Sequence, residues 1–296
     1  QEYISLMQTG LEIGMTQPAV IMEGRDVSIR AQIVERPEDS PFFSPFLQLP
    51  DWLSEEQQSQ LRERALGIIG DGVIPAYQDL LAFFVEEYIP GARQSLGAQQ
   101  LPGGEAFYQG QIQRYVTRNM TPQEIHDIGL SEVARIRAEM ESIINELEFD
   151  GTFDEFLTFL RTDEQFYARS AKELLALASY YAKKTDGRLP QLFSHLPRQP
   201  YGVAPVPEEI APFFTAGRYV GAPADARRGG YYWVNTHALD SRTLYTLPAL
   251  TLHEAAPGHH LQNALALELD EQPPFRRTTY ISAYGEGWAL YAEKLG

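Results

Sequence analysis

Leu252-His253-Glu254-Ala255-Ala256-Pro257-Gly258-His259-His260-Leu261-Gln262 is the most informative stretch of this chain. Three of the six histidines fall between positions 253 and 260, and a glutamate directly follows the first. Two imidazoles and a carboxylate crowded together point to metal chemistry, with Glu254 as the proton carrier. The spacing does not suit a straight helix. A zinc-peptidase histidine pair sits at i and i+4 on one face, and here i+4 is Pro257. His259 and His260 stand at i+6 and i+7, the latter about 10.5 Å along an ideal axis. With zinc–nitrogen bonds of about 2.1 Å, neither can share an ion with His253 unless the helix breaks between them. Pro257 removes a backbone donor and Gly258 admits uncommon backbone angles, so the pair supplies that break. The spacing leaves open which of His259 and His260 is the ligand.

A catalytic zinc takes three protein ligands and keeps one position open. The third candidate is Glu286, in Ala283-Tyr284-Gly285-Glu286-Gly287-Trp288-Ala289-Leu290-Tyr291-Ala292-Glu293, 27 residues after His259. Its flanking glycines are read as admitting close approach. Glu293, one heptad on, is expected behind the ligands rather than on the ion. Around this set, His260, Tyr231, Asn235 and Tyr284 are candidate substrate-binding groups. Tyr231, Tyr232, Trp233 and Asn235 are read as an edge strand beside the metal, where an extended peptide adds by backbone pairing. The plainer alternatives are a hydrogen-bonded histidine cluster at a helix break and ordinary sheet packing.

Farther out, the grammar is mostly helical. Ser54 to Gln57, Thr121 to Glu124 and Thr152 to Glu155 are capping boxes, the second with Pro122 in its first turn. Val133, Ile136, Met140, Ile143 and Leu147 then recur at three and four residues, a stripe expected to pack into the core. Helix is also predicted for 18–34 and 170–184. Pro37, Pro41, Pro45 and Pro50 mark an irregular connector carrying Phe42, Phe43 and Phe46. Strand language, short and aromatic between Gly and Pro, appears only at 201–206, 218–220 and 230–236. The predicted class is therefore mainly α (α+β). A helical domain over 1–185 precedes a small sheet plus metal-site helices over 186–296, the latter read as one continuous catalytic unit. Tyr280 is placed near the start of a last helix carrying Trp288 and Leu295.

Composition narrows the partners. The 296 residues carry 40 acidic and 24 basic side chains, a net charge of −16 that suits neither phosphate backbones nor anionic membranes. Nucleic acid is therefore excluded as an expected partner, and nothing bears on oligomeric state. Cysteine is absent, which removes disulfides and thiolate chemistry. No uninterrupted apolar run reaches the ~18 residues of a membrane span.

The two motifs around His253 and Glu286, with the stretches at 119–140 and 229–235, resemble the bacterial domain-of-unknown-function family 885. The resemblance covers nearly the whole chain. That family is similar to gluzincin-type zinc metallopeptidases, which implies a mostly helical, zincin-like fold. In such enzymes the second histidine follows glycine and precedes x-Leu, and the ligand glutamate precedes x-Trp. Gly258-His259-His260-Leu261 and Glu286-Gly287-Trp288 fit both patterns, which favours His259 over His260. The resemblance also implies a missing C-terminal half and leans towards an exported or cell-envelope location. The expected activity is hydrolysis of a peptide or related amide, with Zn2+ held by His253, His259 and Glu286 and with Glu254 as general base. The alternative is a metal- or peptide-binding module without turnover. A carboxylate-bridged di-metal bundle is disfavoured, since no Glu-x-x-His pair occurs.

Overall fold

The computed structural model describes residues 1–223, 226–269 and 272–296. The chain divides into two compact units, Gln1–Gln111 and Ile112–Gly296. The change from helix to strand grammar near 186 lies inside the second.

In the first unit, α1 (Glu2–Glu12) and the short α2 (Asp26–Arg30) precede the proline-rich connector. Residues 18–34, expected as one helix, form only a 3-10 turn and α2. Gly24, between the two, adopts a left-handed φ of +72° that interrupts any continuous helix there. The connector is pinned by its aromatics: buried Phe43 stacks on Phe46 and packs with Ala65, Ile69 and Ile74. Phe42 stays exposed. α3 (Glu55–Ile68), α4 (Ile74–Phe83) and α5 (Ile89–Gly91) follow, joined by two π turns into one continuous helical run. Ser54 accepts from the Gln57 amide, and the Gln57 side chain accepts from the Ser54 amide, completing the predicted capping box. By length and composition the run Glu55–Gly91 could cross a membrane, with 22% of its apolar window buried. The sequence reading missed it because polar residues interrupt every apolar stretch.

α6 (Gly104–Val116) carries the boundary between the units. α7 (Pro122–Glu146) and α8 (Phe153–Thr162) begin with the capping boxes of Thr121 and Thr152. α9 (Ala171–Asp186) leads to three strands: β1 (Tyr201–Pro205), β2 (Gly217–Val220) and β3 (Gly230–Val234). Their order is β1-β3-β2, with β1 parallel and β2 antiparallel to β3. α10 (Leu247–Glu254), α11 (His259–Leu267), α12 (Pro274–Thr278) and α13 (Ser282–Leu295) complete the chain. A mainly α fold with one small sheet ahead of the histidine helices is thus observed.

The core of the second unit forms where α9 and α10 cover the sheet. Leu174 and Ala178 pack with Tyr232, Val234, Leu247 and Ala255. A second cluster, Leu189, Ala256 and Leu261, gathers Phe193 and Trp288 under the histidine break. The α7 stripe does not join either. Val133, Ile136, Met140, Ile143 and Leu147 are all exposed, against the expectation that they pack into the core, and only Ile144 of this helix is buried. Helical periodicity defines a face, but the partner is set by tertiary contacts that no local pattern specifies.

Candidate metal centre

The predicted break is present. α10 stops at Glu254, and Ala255 leaves helical geometry at φ −93°, ψ −126°. The Ala256–Pro257 bond is cis. Gly258 sits at φ −74°, ψ −131°, and α11 restarts at His259. A β-carbon on Gly258 would fall onto the backbone oxygens of His253 and Leu252, so no other residue fits there. The turn is fastened from outside by the Trp288 indole, which donates to the Pro257 carbonyl at 2.8 Å.

This geometry folds His259 back onto His253. The two rings meet edge to face with centroids 4.7 Å apart. Glu286, on α13, brings its Oε2 to 3.4 Å from His253 Nε2 and 3.6 Å from His259 Nε2. One ligand atom from each residue lies within 4.8 Å of the others. The edge of a tetrahedron with arms of about 2.1 Å is about 3.4 Å, so these separations suit a small cation between the three. Two imidazoles and one carboxylate match zinc better than magnesium or calcium, which prefer all-oxygen shells. The donor set therefore fits the ion the sequence implied.

Glu293 lies where a supporting carboxylate belongs. Its Oε1 is 2.7 Å from His253 Nδ1, so that nitrogen can donate to it, and in that tautomer Nε2 carries the lone pair a cation needs. Glu254 is buried, and its Oε2 accepts from the Tyr219 amide of β2 at 2.7 Å.

Two features escaped the sequence reading. Tyr280 donates its hydroxyl to Glu286 Oε1 at 2.9 Å. Desolvation, and then the Glu286 carboxylate, push its pKa up to about 12, so it remains a donor at neutral pH. Its ring occupies the space that a Gly285 side chain would need. Gly285 therefore makes room for the Tyr280 ring rather than for the histidine helices, and Gly287 faces open space. A glycine beside a ligand, with a tyrosine five residues earlier, was the available signal. The second feature is Tyr219, which serves Glu254 through its amide and His260 through its hydroxyl.

The substrate candidates fare differently. His260 is buried, stacks near Tyr201 and meets the Tyr219 hydroxyl at 3.2 Å through Nδ1. Burial lowers its pKa to about 4, which keeps it neutral. Its imidazole is thus packed in the interior, between the Tyr201 ring and the Tyr219 hydroxyl. Asn235 is fully buried. Its amide donates to the Ala211, Phe214 and Thr215 carbonyls, and its oxygen accepts from the His237 amide. Its side-chain polar atoms are thus engaged in bracing the loop ahead of β2. Tyr231 lays its ring over Gly202 of β1, which is cross-strand packing. The edge role expected of β3 is also corrected: β3 is the central strand, and β2 is the edge nearest α10. Tyr284 is exposed on the first turn of α13, two residues from Glu286.

A family model described as "Bacterial protein of unknown function (DUF885)" matches residues 1–296. No curated protein matches the chain. One solved structure, described as "the putative lipoprotein from Colwellia psychrerythraea", is 30% identical, with a TM-score of 0.88 over 99% of this chain. The match covers 51% of that protein, so the present chain spans about half the length of its solved relative.

Proposed function

This chain belongs to the bacterial DUF885 family, and we propose that it is a zinc-dependent hydrolase of peptide or related amide bonds, similar to gluzincin-type metallopeptidases. The observation that carries this reading is the convergence of His253, His259 and Glu286 across a broken helix, with ligand atoms within 4.8 Å of one another. When bound there, zinc would supply Lewis-acid polarisation of a carbonyl and acidify water. The chain's own residues do the rest. Glu293 holds the His253 ring in one tautomer. Glu254, anchored by one oxygen to the Tyr219 amide, uses the other to take a proton from the attacking water. It then returns that proton to the leaving nitrogen, acting first as general base and then as general acid. An extended peptide would lie along the edge strand β2, whose backbone already reaches Glu254. The lipoprotein description of the solved relative supports an exported or cell-envelope location.

The test is zinc content and turnover of a mixed peptide library for the wild type and for Glu254→Gln. The expected result is full zinc occupancy in both, with turnover falling by about 10²–10⁴-fold in the variant. Turnover at the wild-type rate in Glu254→Gln would remove Glu254 from this role. Zinc bound without turnover in the wild type would favour a binding module.

A further inference from the structure

Glu286 is half-exposed, and its carboxylate has to be aimed. A glutamate free to rotate loses side-chain entropy when it is fixed. His253 already has Glu293 behind it. The equivalent partner for Glu286 comes from the segment between α12 and α13. Tyr280 Oη donates to Oε1 at 2.9 Å, while the other oxygen, Oε2, faces both imidazoles at 3.4 and 3.6 Å. The tyrosine is itself located by shape. Its ring lies against the backbone of Gly285, in space that any β-carbon at 285 would fill.

We infer that Tyr280 is a positioning residue that occupies one oxygen of Glu286 and so presents the other, alone, to the cation. Gly285 is its seat. This rests on the metal reading above and adds a residue to it. Partners of this kind typically change metal affinity 10–100-fold when removed.

The experiment is a competition titration of zinc against a fluorescent chelator for the wild type, Tyr280→Phe and Gly285→Ala, with thermal unfolding of each metal-free protein alongside. Tyr280→Phe removes only the hydroxyl from a largely exposed ring, so its unfolding temperature should match the wild type. Its zinc affinity should fall by about tenfold or more. Gly285→Ala keeps the hydroxyl but displaces the ring, and it should show a comparable loss. X-ray absorption of the zinc-loaded Tyr280→Phe protein should then show an added carboxylate oxygen near the metal. Wild-type affinity in Tyr280→Phe would overturn the assignment whatever the alanine variant does. Absence of zinc binding in the wild type would overturn the metal reading itself, a distinguishable failure.

Discussion

The helix break at Ala255–Gly258 and the long helix α7 are the two most strongly patterned regions of the chain, and they behaved in opposite ways. At the break, an apparently faulty histidine spacing becomes a compact cluster, because Pro257 and Gly258 allow the chain to turn. In α7, a regular stripe at three- and four-residue intervals remains exposed. The difference lies in where each signal is satisfied. The break is closed mainly by its own backbone, through contacts that only glycine permits, and is fastened by the Trp288 indole. The stripe needs a partner surface from elsewhere, and nothing in α7 says what that surface is. Capping follows the first pattern: Thr121, Thr152 and Ser54 all close the boxes the sequence announces.

That contrast is open to attack at several strengths. The largest effect is expected at the break. Gly258→Ala forces a β-carbon into the His253 and Leu252 carbonyls and should cost more than about 4 kcal/mol in urea unfolding, or prevent folding. A stable variant with intact zinc affinity would show that the turn is not what holds the histidines together. Next comes a matched pair. Leu261→Ala, in the core beneath the break, should cost about 2–5 kcal/mol. Ile136→Ser, on the exposed stripe, should stay within about 0.5 kcal/mol. A large loss at Ile136 would mean that the stripe is covered in solution, and the contrast between the regions would disappear.

The smallest effect belongs to the cap. Thr121→Ala should cost about 1 kcal/mol. The Thr121 amide, and then its hydroxyl, hold the Glu124 pKa below its ordinary value. A depressed carboxylate pKa means that the folded form binds its proton more weakly than the unfolded chain does. The cap's contribution is therefore present above the ordinary glutamate range and is lost as pH falls through the lowered value. The difference between wild type and Thr121→Ala should shrink in acid; a difference independent of pH would exclude Glu124 from the cap.

Much of the fold was legible before any coordinates. The three strands appear within a residue or two of their predicted positions, since short aromatic runs between Gly and Pro have few other uses. The pairing order was not legible, because period-two patterns do not say which strand is central. Hence Asn235 and Tyr231 were assigned to an edge that belongs to β2. In the site, Glu286 was reachable from its motif and spacing, although of its two flanking glycines only Gly285 makes room for a neighbour. Tyr280 was not, because its role depends on a ring folding back over Gly285, a contact set by the connector between α12 and α13. The same holds for Tyr219, whose amide reaches Glu254 only once β2 lies beside α10.

The central claim is tested most directly by crystals of this protein soaked in zinc and recorded on both sides of the zinc absorption edge. One anomalous peak should lie between His253 Nε2, His259 Nε2 and Glu286 Oε2, with Glu293 behind His253. Zinc absent from that point, or bound elsewhere while these three side chains stay apart, would contradict it.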